Sequence, residues 1–327
     1  MRAAWYERQG AASDVLEVGE MQDPHPSPGE VRIAVHASGV NTGDVKKRAG
    51  WLGFAMADAR VIPHSDGAGV IDAVGEDVDS ARVGERVWCH GAQSYRPFGT
   101  AAQYTTVPSE QAVTLPPDVS FETGACLGIP GITAHRAVFG DGPVRGQNVL
   151  VSGAAGAVGS MAVALASWGG ARVLATVRRP DDGARAASAG ADHVYATGEP
   201  DVAAAIRADA PDGVQRIVEV ALGPNARLDA EVLAQGGTIA AYASPGDETA
   251  LPFWPLLFVN ATIRLLGSDD FPAEAKARAA ADIVTCLKDG RLRPEVGARF
   301  ALDDIAAAHE AVRRRATPGR VVVSLMP

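Results

Sequence analysis

The stretch Val149-Leu150-Val151-Ser152-Gly153-Ala154-Ala155-Gly156-Ala157-Val158-Gly159 decides the fold class of this chain. It opens with four residues of buried-strand character and ends in an apolar helical pattern that continues to Trp168. Gly156 would let backbone N–H groups approach a phosphate, and Gly159 would let the helix pack closely on the strand. The positive end of the helix dipole would then face the phosphates. The stretch therefore predicts a dinucleotide-binding turn, with Ala154 where the first glycine is usual; a purely structural turn is the alternative.

The chain from about residue 123 onward alternates between strand-like and helix-like patterns. An Ala-rich helical pattern covers 123–137, and further helical patterns separate the later strands. The strand candidates are 172–176, the region of Val194, 216–220, 237–240 and 262–266. Such alternation is typical of a parallel sheet with helices on both faces, so we predict a doubly wound α/β (Rossmann) domain. Helices at 273–289 and 302–314 and a strand at 320–325 complete the chain.

Residues 1–120 have a different texture. Short alternating apolar runs, at 31–36, 69–74 and 85–88, are separated by Gly and Pro clusters such as Pro24–Glu30. Many short strands with frequent breaks are typical of an all-β barrel or sandwich. We therefore expect a β-rich domain before the Rossmann domain.

Composition narrows the function classes. A chain of 327 residues predicts two domains, and 30 basic against 39 acidic residues, net charge −9, disfavour a nucleic-acid surface. No apolar run approaches the ~20 residues of a membrane span, and the N-terminus has no apolar signal core. The three cysteines are Cys89, Cys126 and Cys286, which lie far apart and form no CxxC pair. This spacing disfavours both a disulfide framework and a zinc site made of thiolates. We expect a cytoplasmic protein with no nucleic-acid or membrane partner.

The end of the second Rossmann strand bears on the choice of cofactor. NAD-selective folds place Asp or Glu there to bind the ribose 2′-hydroxyl, whereas this chain has Arg178 and Arg179. Guanidinium groups are always charged and bind phosphate bidentately, so the pair favours NADPH; a solvated turn is the alternative. We interpret Asp181 and Asp182 as caps of the next helix.

Several motifs, in one order along the chain, carry a family resemblance. They are 36–41 (HASGVN), 62–70 (IPHSDGAGV), 128–134 (GIPGITA), 190–192 (GAD) and 317–320 (TPGR), in addition to the turn above. With them the whole chain resembles the zinc-free quinone oxidoreductase (zeta-crystallin-like) branch of the medium-chain dehydrogenase/reductase superfamily. The resemblance implies a GroES-like catalytic domain (1–122), a Rossmann NADPH-binding domain (123–268), a return to the catalytic domain (269–327), and an active site in the cleft.

The resemblance also bears on whether the protein holds a catalytic metal ion. Zinc-dependent relatives hold catalytic zinc with two cysteines and a histidine, and the matching positions here are Ser38, Ser65 and Ile129. These residues cannot replace such ligands, and Asp66 alone cannot hold a catalytic ion. We therefore expect no metal.

Site residues are carried over by position. The resemblance places Asn41 and Thr133 at the nicotinamide and residues 153 and 155–158 at the pyrophosphate. The remaining expected cofactor contacts lie in a loop after a sheet strand and in the tail: Tyr242, Ala243, Ser244, Arg315, Gly319 and Arg320. Two positions depart from the family pattern, since Lys46 replaces an active-site Tyr and Asp182 replaces a Lys that binds the 2′-phosphate. The second departure shifts that role to Arg178 and Arg179.

The catalytic candidates are Asn41, Lys46, Trp51 and His64. His64 lies beside the cleft motif, where it is a candidate to line the substrate pocket rather than simply to pack. Lys46 is either part of a solvated helix face or a positive charge near the acceptor. Trp51 is a candidate wall for a flat substrate or merely fills space.

These observations predict an NADPH-dependent reductase that passes hydride to a quinone or an α,β-unsaturated carbonyl compound without zinc. An enoyl-thioester or other double-bond reductase of a biosynthetic pathway is one alternative. A non-catalytic NADPH-binding protein, crystallin-like or RNA-contacting, is another. Because Thr262–Leu266 is apolar and lies last in the predicted sheet, we also expect a homodimer that pairs this edge strand.

Overall fold

The computed structural model describes residues 1–53 and 55–325. The chain divides into two compact units, the first formed by Met1–Ile129 with Pro294–Pro327 and the second by Pro130–Arg293. These divisions lie later than the sequence boundaries at 122/123 and 268/269. The larger difference arises because the helix at 273–288 packs within the second unit: Trp168 Nε1 donates to Asp289 Oδ2 at 2.9 Å, directly after that helix.

The first unit begins with a β-rich segment. Its elements are β1 (Arg2–Trp5), α1 (Ala12–Val15), β2 (Glu17–Glu20), β3 (Glu30–Val40), α2 (Thr42–Ala49), β4 (Asp66–Val74), β5 (Arg86–Cys89), β6 (Tyr104–Pro108), β7 (Ala112–Thr114) and α3 (Phe121–Gly124). In β3, Val31, Ile33 and Val35 are fully buried and alternate with less buried neighbours, as a period of two requires. The predicted β-rich domain is confirmed.

The second unit carries the alternating pattern. Its elements are α4 (Gly128–Phe139, which begins in the first unit), β8 (Asn148–Ser152), α5 (Ala157–Trp168), β9 (Arg172–Val177), α6 (Gly183–Ser188), β10 (His193–Ala196), α7 (Val202–Asp209), β11 (Val214–Glu219), α8 (Leu222–Val232), β12 (Leu233–Ala241), α9 (Phe253–Phe258), β13 (Thr262–Leu265) and α10 (Ala273–Lys288). Its six strands are all parallel, in the order β10-β9-β8-β11-β12-β13.

That strand order is the doubly wound Rossmann order. The run Val149–Val151 is buried without alternation, as is expected of a central strand in a parallel sheet whose two faces are both covered by helices. The predicted α/β class is confirmed. The order reverses between β8 and β11, and ligands of such sheets bind at the carboxyl ends of the strands near this point.

The chain then returns to the first unit with β14 (Val296–Ala301), α11 (Ile305–Arg314) and β15 (Arg320–Ser324). Strands β15 and β3 pair antiparallel, within a sheet ordered β14-β15-β3-β4-β5-β7 to which β6 is added beside β3. In α11 the buried Ile305, Ala308 and His309 follow helical spacing. The tail therefore completes the β-rich unit.

One predicted helix is wrong in its extent. The pattern at 123–137 is divided between α3 and α4. The break occurs before Gly128, where a Cβ atom would collide with the carboxylate of Asp66. Among the described residues no helix is both long and apolar enough to cross a membrane.

Candidate functional site

The turn after β8 has the geometry of a phosphate cradle. Gly153 has a φ of 64°, a left-handed conformation that glycine adopts without strain. A Cβ atom at Gly159 would collide with the carbonyl oxygen of Gly153, so α5 can begin this close to the turn only with glycine there. The first turn of α5 carries no acidic side chain, and a helix N-terminus favours an anion. The predicted phosphate-contacting residues lie together here: Gly153, Ala155, Gly156, Ala157 and Val158.

The two arginines after β9 differ in their surroundings. Both side chains are exposed, but Arg179 forms a salt bridge with Asp182 at 3.3 Å, and Arg185 binds the same carboxylate at 2.7 Å. The capping interpretation of Asp182 is wrong: it precedes α6 but makes no capping hydrogen bond, because its oxygens bind the two arginines. The guanidinium of Arg178 is the one not engaged by this carboxylate.

The loop after β12 meets the end of β11. The N–H of Tyr242 donates to the carbonyl oxygen of Glu219 at 3.0 Å, and the carbonyl oxygen of Ala243 accepts from the N–H of Leu222 at 3.3 Å. The predicted loop of Tyr242, Ala243 and Ser244 therefore lies at the carboxyl edge of the sheet, the same edge as the cradle. The edge is shared because all strands of the sheet are parallel.

A buried acid network underlies this edge. Oε1 of Glu219, the last residue of β11, accepts from the N–H of Ala221 and from Nδ2 of Asn225 at 3.0 Å. Nδ2 of Asn225 also donates to Oγ of Ser152, the last residue of β8, at 2.9 Å. Asp229, in α8, lies against Glu219, and both carboxyls are almost completely buried. Burial first, and then the charge of Glu219, raise the pKa of Asp229 to about 9.

In the first unit, Asn41 belongs to a second buried network. Its Nδ2 donates to Oδ2 of Asp66 at 2.6 Å, and its Oδ1 accepts from Arg320 at 2.9 Å. The guanidinium of Arg320 lies 3.8 Å from Asp66, and Oδ1 of Asp66 accepts from the N–H of Ile129 at 2.8 Å. Arg320, predicted as a cofactor contact, thus uses its NH2 group within this network.

Asn41 is also the N-cap residue of α2. It forms a capping box with Asp44, whose Oδ2 accepts from the Asn41 N–H at 2.7 Å. Burial raises the pKa of Asp44 to about 7, although this hydrogen bond opposes the shift.

His64 lies in a one-way chain of hydrogen bonds. Thr100 Oγ1 donates to the carbonyl oxygen of Asp66 at 2.6 Å, so it accepts from Ser38 Oγ at 2.7 Å. Ser38 Oγ must then accept from Nδ1 of His64 at 2.8 Å, and Nε2 of His64 accepts from Nε2 of His309 at 3.0 Å. Burial lowers the pKa of both histidines, which keeps them neutral. His64 is fully buried, with a φ of 78°, and both of its ring nitrogens are used inside the first unit.

These hydrogen bonds involve Ser38, one of the positions matched to zinc ligands. Ser38 binds His64 and Thr100, whereas the side chain that meets Asp66 beside the N–H of Ile129 is that of Asn41. Within residues 1–53 and 55–325, no group of three or more His, Cys, Asp or Glu side chains is arranged to hold a metal ion.

The other candidates are more dispersed. Lys46 Nζ lies 4.4 Å from the ring centroid of Trp51, a cation–π contact, and Trp51 is 47% exposed. Thr133 is buried in α4, and Arg315 is an exposed residue in the left-handed conformation that ends α11. Asp66, Glu219 and Asp229 were not among the cofactor or catalytic residues predicted from the sequence. Glu219 could have been found, because an acidic residue at the end of the apolar strand β11 is unusual. Asp229 could not, because in the sequence it looks like any polar residue of a helix.

Comparisons with known proteins fit this architecture. The family "Alcohol dehydrogenase GroES-like domain" matches residues 27–117, and the family "Zinc-binding dehydrogenase" matches residues 157–281. The quinone oxidoreductase of Rattus norvegicus is 31% identical over 293 residues, which cover 88% of this chain and 86% of the rat protein. A solved NAD-dependent alcohol dehydrogenase has a TM-score of 0.88 at 28% identity over all of both chains. A mycobacterial protein solved with NADPH has a TM-score of 0.84 at 26% identity over 99% of both chains.

The fold and these matches define the class of protein first. It is a medium-chain dehydrogenase/reductase, with a GroES-like domain and a Rossmann-type nucleotide-binding domain. Within that superfamily, the chain belongs to the quinone oxidoreductase branch. It is therefore an NAD(P)H-dependent oxidoreductase.

Proposed function

We propose that the protein is an NADPH-dependent reductase that passes hydride to a quinone or an α,β-unsaturated carbonyl compound without zinc. The observation that carries the proposal is the glycine-built cradle after β8, followed by two arginines at the end of β9. These features lie on adjacent strands of one sheet.

The residues present suit the cofactor. The turn at 153–156 brings backbone rather than side chains to the start of α5, as a pyrophosphate requires. Arg178 is available to the 2′-phosphate, while Arg179 is shared with Asp182. The bound nicotinamide supplies the hydride, and the protein supplies orientation and exclusion of water.

The residues around Asp66 do not suit zinc. Both carboxylate oxygens of Asp66 accept hydrogen bonds, from Asn41 and Ile129, and Ile129 offers no side-chain ligand. Catalytic zinc takes three protein ligands from Cys, His and carboxylates. Without a Lewis acid to stabilise a developing alkoxide, a conjugated acceptor is favoured, because conjugation spreads the arriving negative charge.

Lys46 and Trp51 support an acceptor site beside Asn41. Lys46 lies in α2, the helix that Asn41 caps, and its ammonium rests on the exposed Trp51 ring. We propose that the pair offers the acceptor one positive charge and one flat apolar wall.

The test is steady-state oxidation of NADPH with 1,4-benzoquinone, an enone and a saturated aldehyde of similar size. We expect the quinone or the enone to react far faster than the aldehyde, and a chelator to leave the rate unchanged. Oxidation of ethanol with NADP⁺ at a comparable rate, or about one tightly held zinc per chain by elemental analysis, would show that the proposal is wrong.

We also propose a homodimer that pairs β13 with its symmetry mate. Strand β13 lies at the end of the strand order, and Leu265 is 74% exposed. Helix α9, directly before it in sequence, exposes Phe253, Trp254 and Phe258. Exposed apolar surface beside an open strand edge favours association. Light scattering at micromolar concentration tests this, and a monomer would contradict it.

A further inference from the structure

Glu219 joins the carboxyl ends of three central strands. It ends β11, its carbonyl oxygen accepts from the residue after β12, and its side chain reaches the end of β8 through Asn225. Ser152, at the far end of this connection, directly precedes Gly153 of the phosphate cradle. The orientation of one carboxylate is thus tied to the shape of the cradle.

Asp229 is a second buried carboxyl that lies against that of Glu219. Glu219 Oε2 and Asp229 Oδ2 are both buried and have no donor among the described residues. Two adjacent carboxylates in a dry site repel each other, so one of them keeps its proton and donates to the other. The raised pKa of Asp229 agrees with this arrangement.

The groups that face the pair are neutral, so the charge of the pair depends mainly on whether it holds the shared proton. From α8 the neighbour is the amide of Asn225, from β8 the hydroxyl of Ser152, and from the loop after β12 the phenol of Tyr242. Burial is the first cause, and the charge of Glu219 the second, of a pKa for Tyr242 far above the ordinary value of tyrosine. This phenol therefore stays neutral. The charged group that acts on the pKa of Asp229 is Glu219, and the largest influences on the pKa of Glu219 are burial and hydrogen bonds.

We propose that Glu219 and Asp229 are positioning residues for the cofactor: by sharing one proton, they hold Asn225 and Ser152 so that the turn after β8 accepts the phosphates. This inference rests on the proposed binding of NADPH. Loss of the shared proton adds a second buried negative charge, which loosens the connection to Ser152 and opposes the cofactor's phosphates. Cofactor affinity then depends on the protonation of two residues that do not themselves touch the cofactor.

The experiment measures the Kd of NADPH by fluorescence titration from pH 7 to pH 10. For the wild type we expect Kd to rise about tenfold between pH 8 and pH 10, since above the pKa each pH unit costs up to a factor of ten. Asp229→Asn keeps a permanent donor to Glu219 and cannot titrate, so its Kd should change less than twofold. Glu219→Gln, which leaves one carboxylate in the pair, should also flatten the profile.

Asp209→Asn is the matched control. This carboxylate of the same unit lies near the surface and accepts from Tyr195, so the variant should keep the wild-type profile. A wild-type Kd that is constant with pH, or an Asp229→Asn profile equal to that of the wild type, would overturn the inference while leaving NADPH binding intact. Absence of NADPH binding at every pH would instead refute the proposed function, and the positioning inference with it.

Thermal unfolding reports the shared proton independently of the cofactor. The folded chain keeps a proton on Asp229 that the unfolded chain has lost, so this group lowers stability progressively as pH rises from about 4 to about 9. Asp229→Asn should therefore gain Tm relative to the wild type on going from pH 6 to pH 9. An equal pH dependence in both proteins would show that no proton is shared.

Discussion

The phosphate cradle and the network around Asn41 are built in opposite ways. The cradle uses contiguous residues, 153–159, and its working groups are backbone atoms shaped by glycines. The Asn41 network gathers side chains from positions 41, 66 and 320, which are separated along the chain by up to 279 residues. In the cradle an absent side chain leaves room for a ligand, whereas in the network each side chain is bound by another.

This difference predicts that the cradle determines cofactor binding, whereas the Asn41 network determines the stability of the fold. Backbone groups at a helix N-terminus remain available to an anion. In the Asn41 network, the guanidinium of Arg320 and the carboxylate of Asp66 form a buried pair of opposite charges. Removing one member of such a pair leaves a buried charge without its counterpart. We therefore expect damage to the network to appear in unfolding and damage to the cradle to appear in cofactor affinity.

The largest expected effect follows from Arg320→Met. The substitution keeps an unbranched side chain but removes the cation beside Asp66, which should lower the free energy of unfolding by about 3–5 kcal/mol. Denaturant unfolding, followed by a spectroscopic probe of the first unit, measures the loss. The Kd of NADPH, measured well below the unfolding transition, should change little.

Arg299→Met is the control for this substitution. Arg299 pairs with Glu122 in the same unit, at 2.6 Å, but on the surface. An exposed pair contributes about 0–1 kcal/mol, so the control should remain close to the wild type. If Arg320→Met instead weakened NADPH binding without loss of stability, Arg320 would be the cofactor contact that the family resemblance predicted.

The cradle is tested by Gly159→Ala. The added methyl group meets the carbonyl oxygen of Gly153, so the start of α5 must move away from the turn. Overpacking of this kind costs about 1–3 kcal/mol, and we expect the Kd of NADPH to rise by up to about a hundredfold. Gly198→Ala, at a glycine with open space around it in the same unit, should leave the Kd unchanged. Equal affinities for the two variants would contradict the cradle.

The contrast between the regions also explains what the sequence could predict. The positions of most strands and helices along the chain, and the cradle, follow from local patterns, because hydrophobic periodicity and glycine spacing are short-range properties. The sequence also located the end of β9, where Arg178 and Arg179 stand. It gave no means of knowing that Asp182 would bind Arg179 rather than cap α6.

Partnerships between distant residues were not predictable in this way. Nothing in the composition of β15 shows that Arg320 turns toward Asn41, or that His309 of α11 donates to His64. Glu219 and Asp229 meet only because β11 and α8 pack together, and their unusual chemistry arises from burial, which a single sequence does not display. The parts of the site that remained hidden are those fixed by tertiary packing.

The next effect concerns the choice of cofactor. Arg178→Ala combined with Arg179→Ala should raise the Kd of NADPH about ten- to a hundredfold, since a hydrogen bond to a charged group contributes about 1.5–3 kcal/mol. The Kd of NADH, which lacks the 2′-phosphate, serves as the internal control and should stay the same. Of the single variants, Arg178→Ala should have the larger effect, because Asp182 already holds Arg179. An unchanged ratio of the two affinities would place the 2′-phosphate elsewhere.

The smallest effect sharpens that same point, because Asp182 competes with the cofactor for Arg179. Its carboxylate binds Arg179 at 3.3 Å and Arg185 at 2.7 Å, so Asp182→Asn should free the first guanidinium and remove a negative charge. Exposed ion pairs contribute about 0.2–1 kcal/mol, so NADPH affinity should rise by a factor of about 1.4 to 5 while that of NADH changes less. Asp181→Asn is the matched control, since that carboxylate forms no salt bridge with Arg179 in the described part of the chain. If Asp182→Asn weakened NADPH binding instead, the carboxylate would be holding Arg179 in the orientation that the phosphate needs, and Asp182 would not compete with the cofactor.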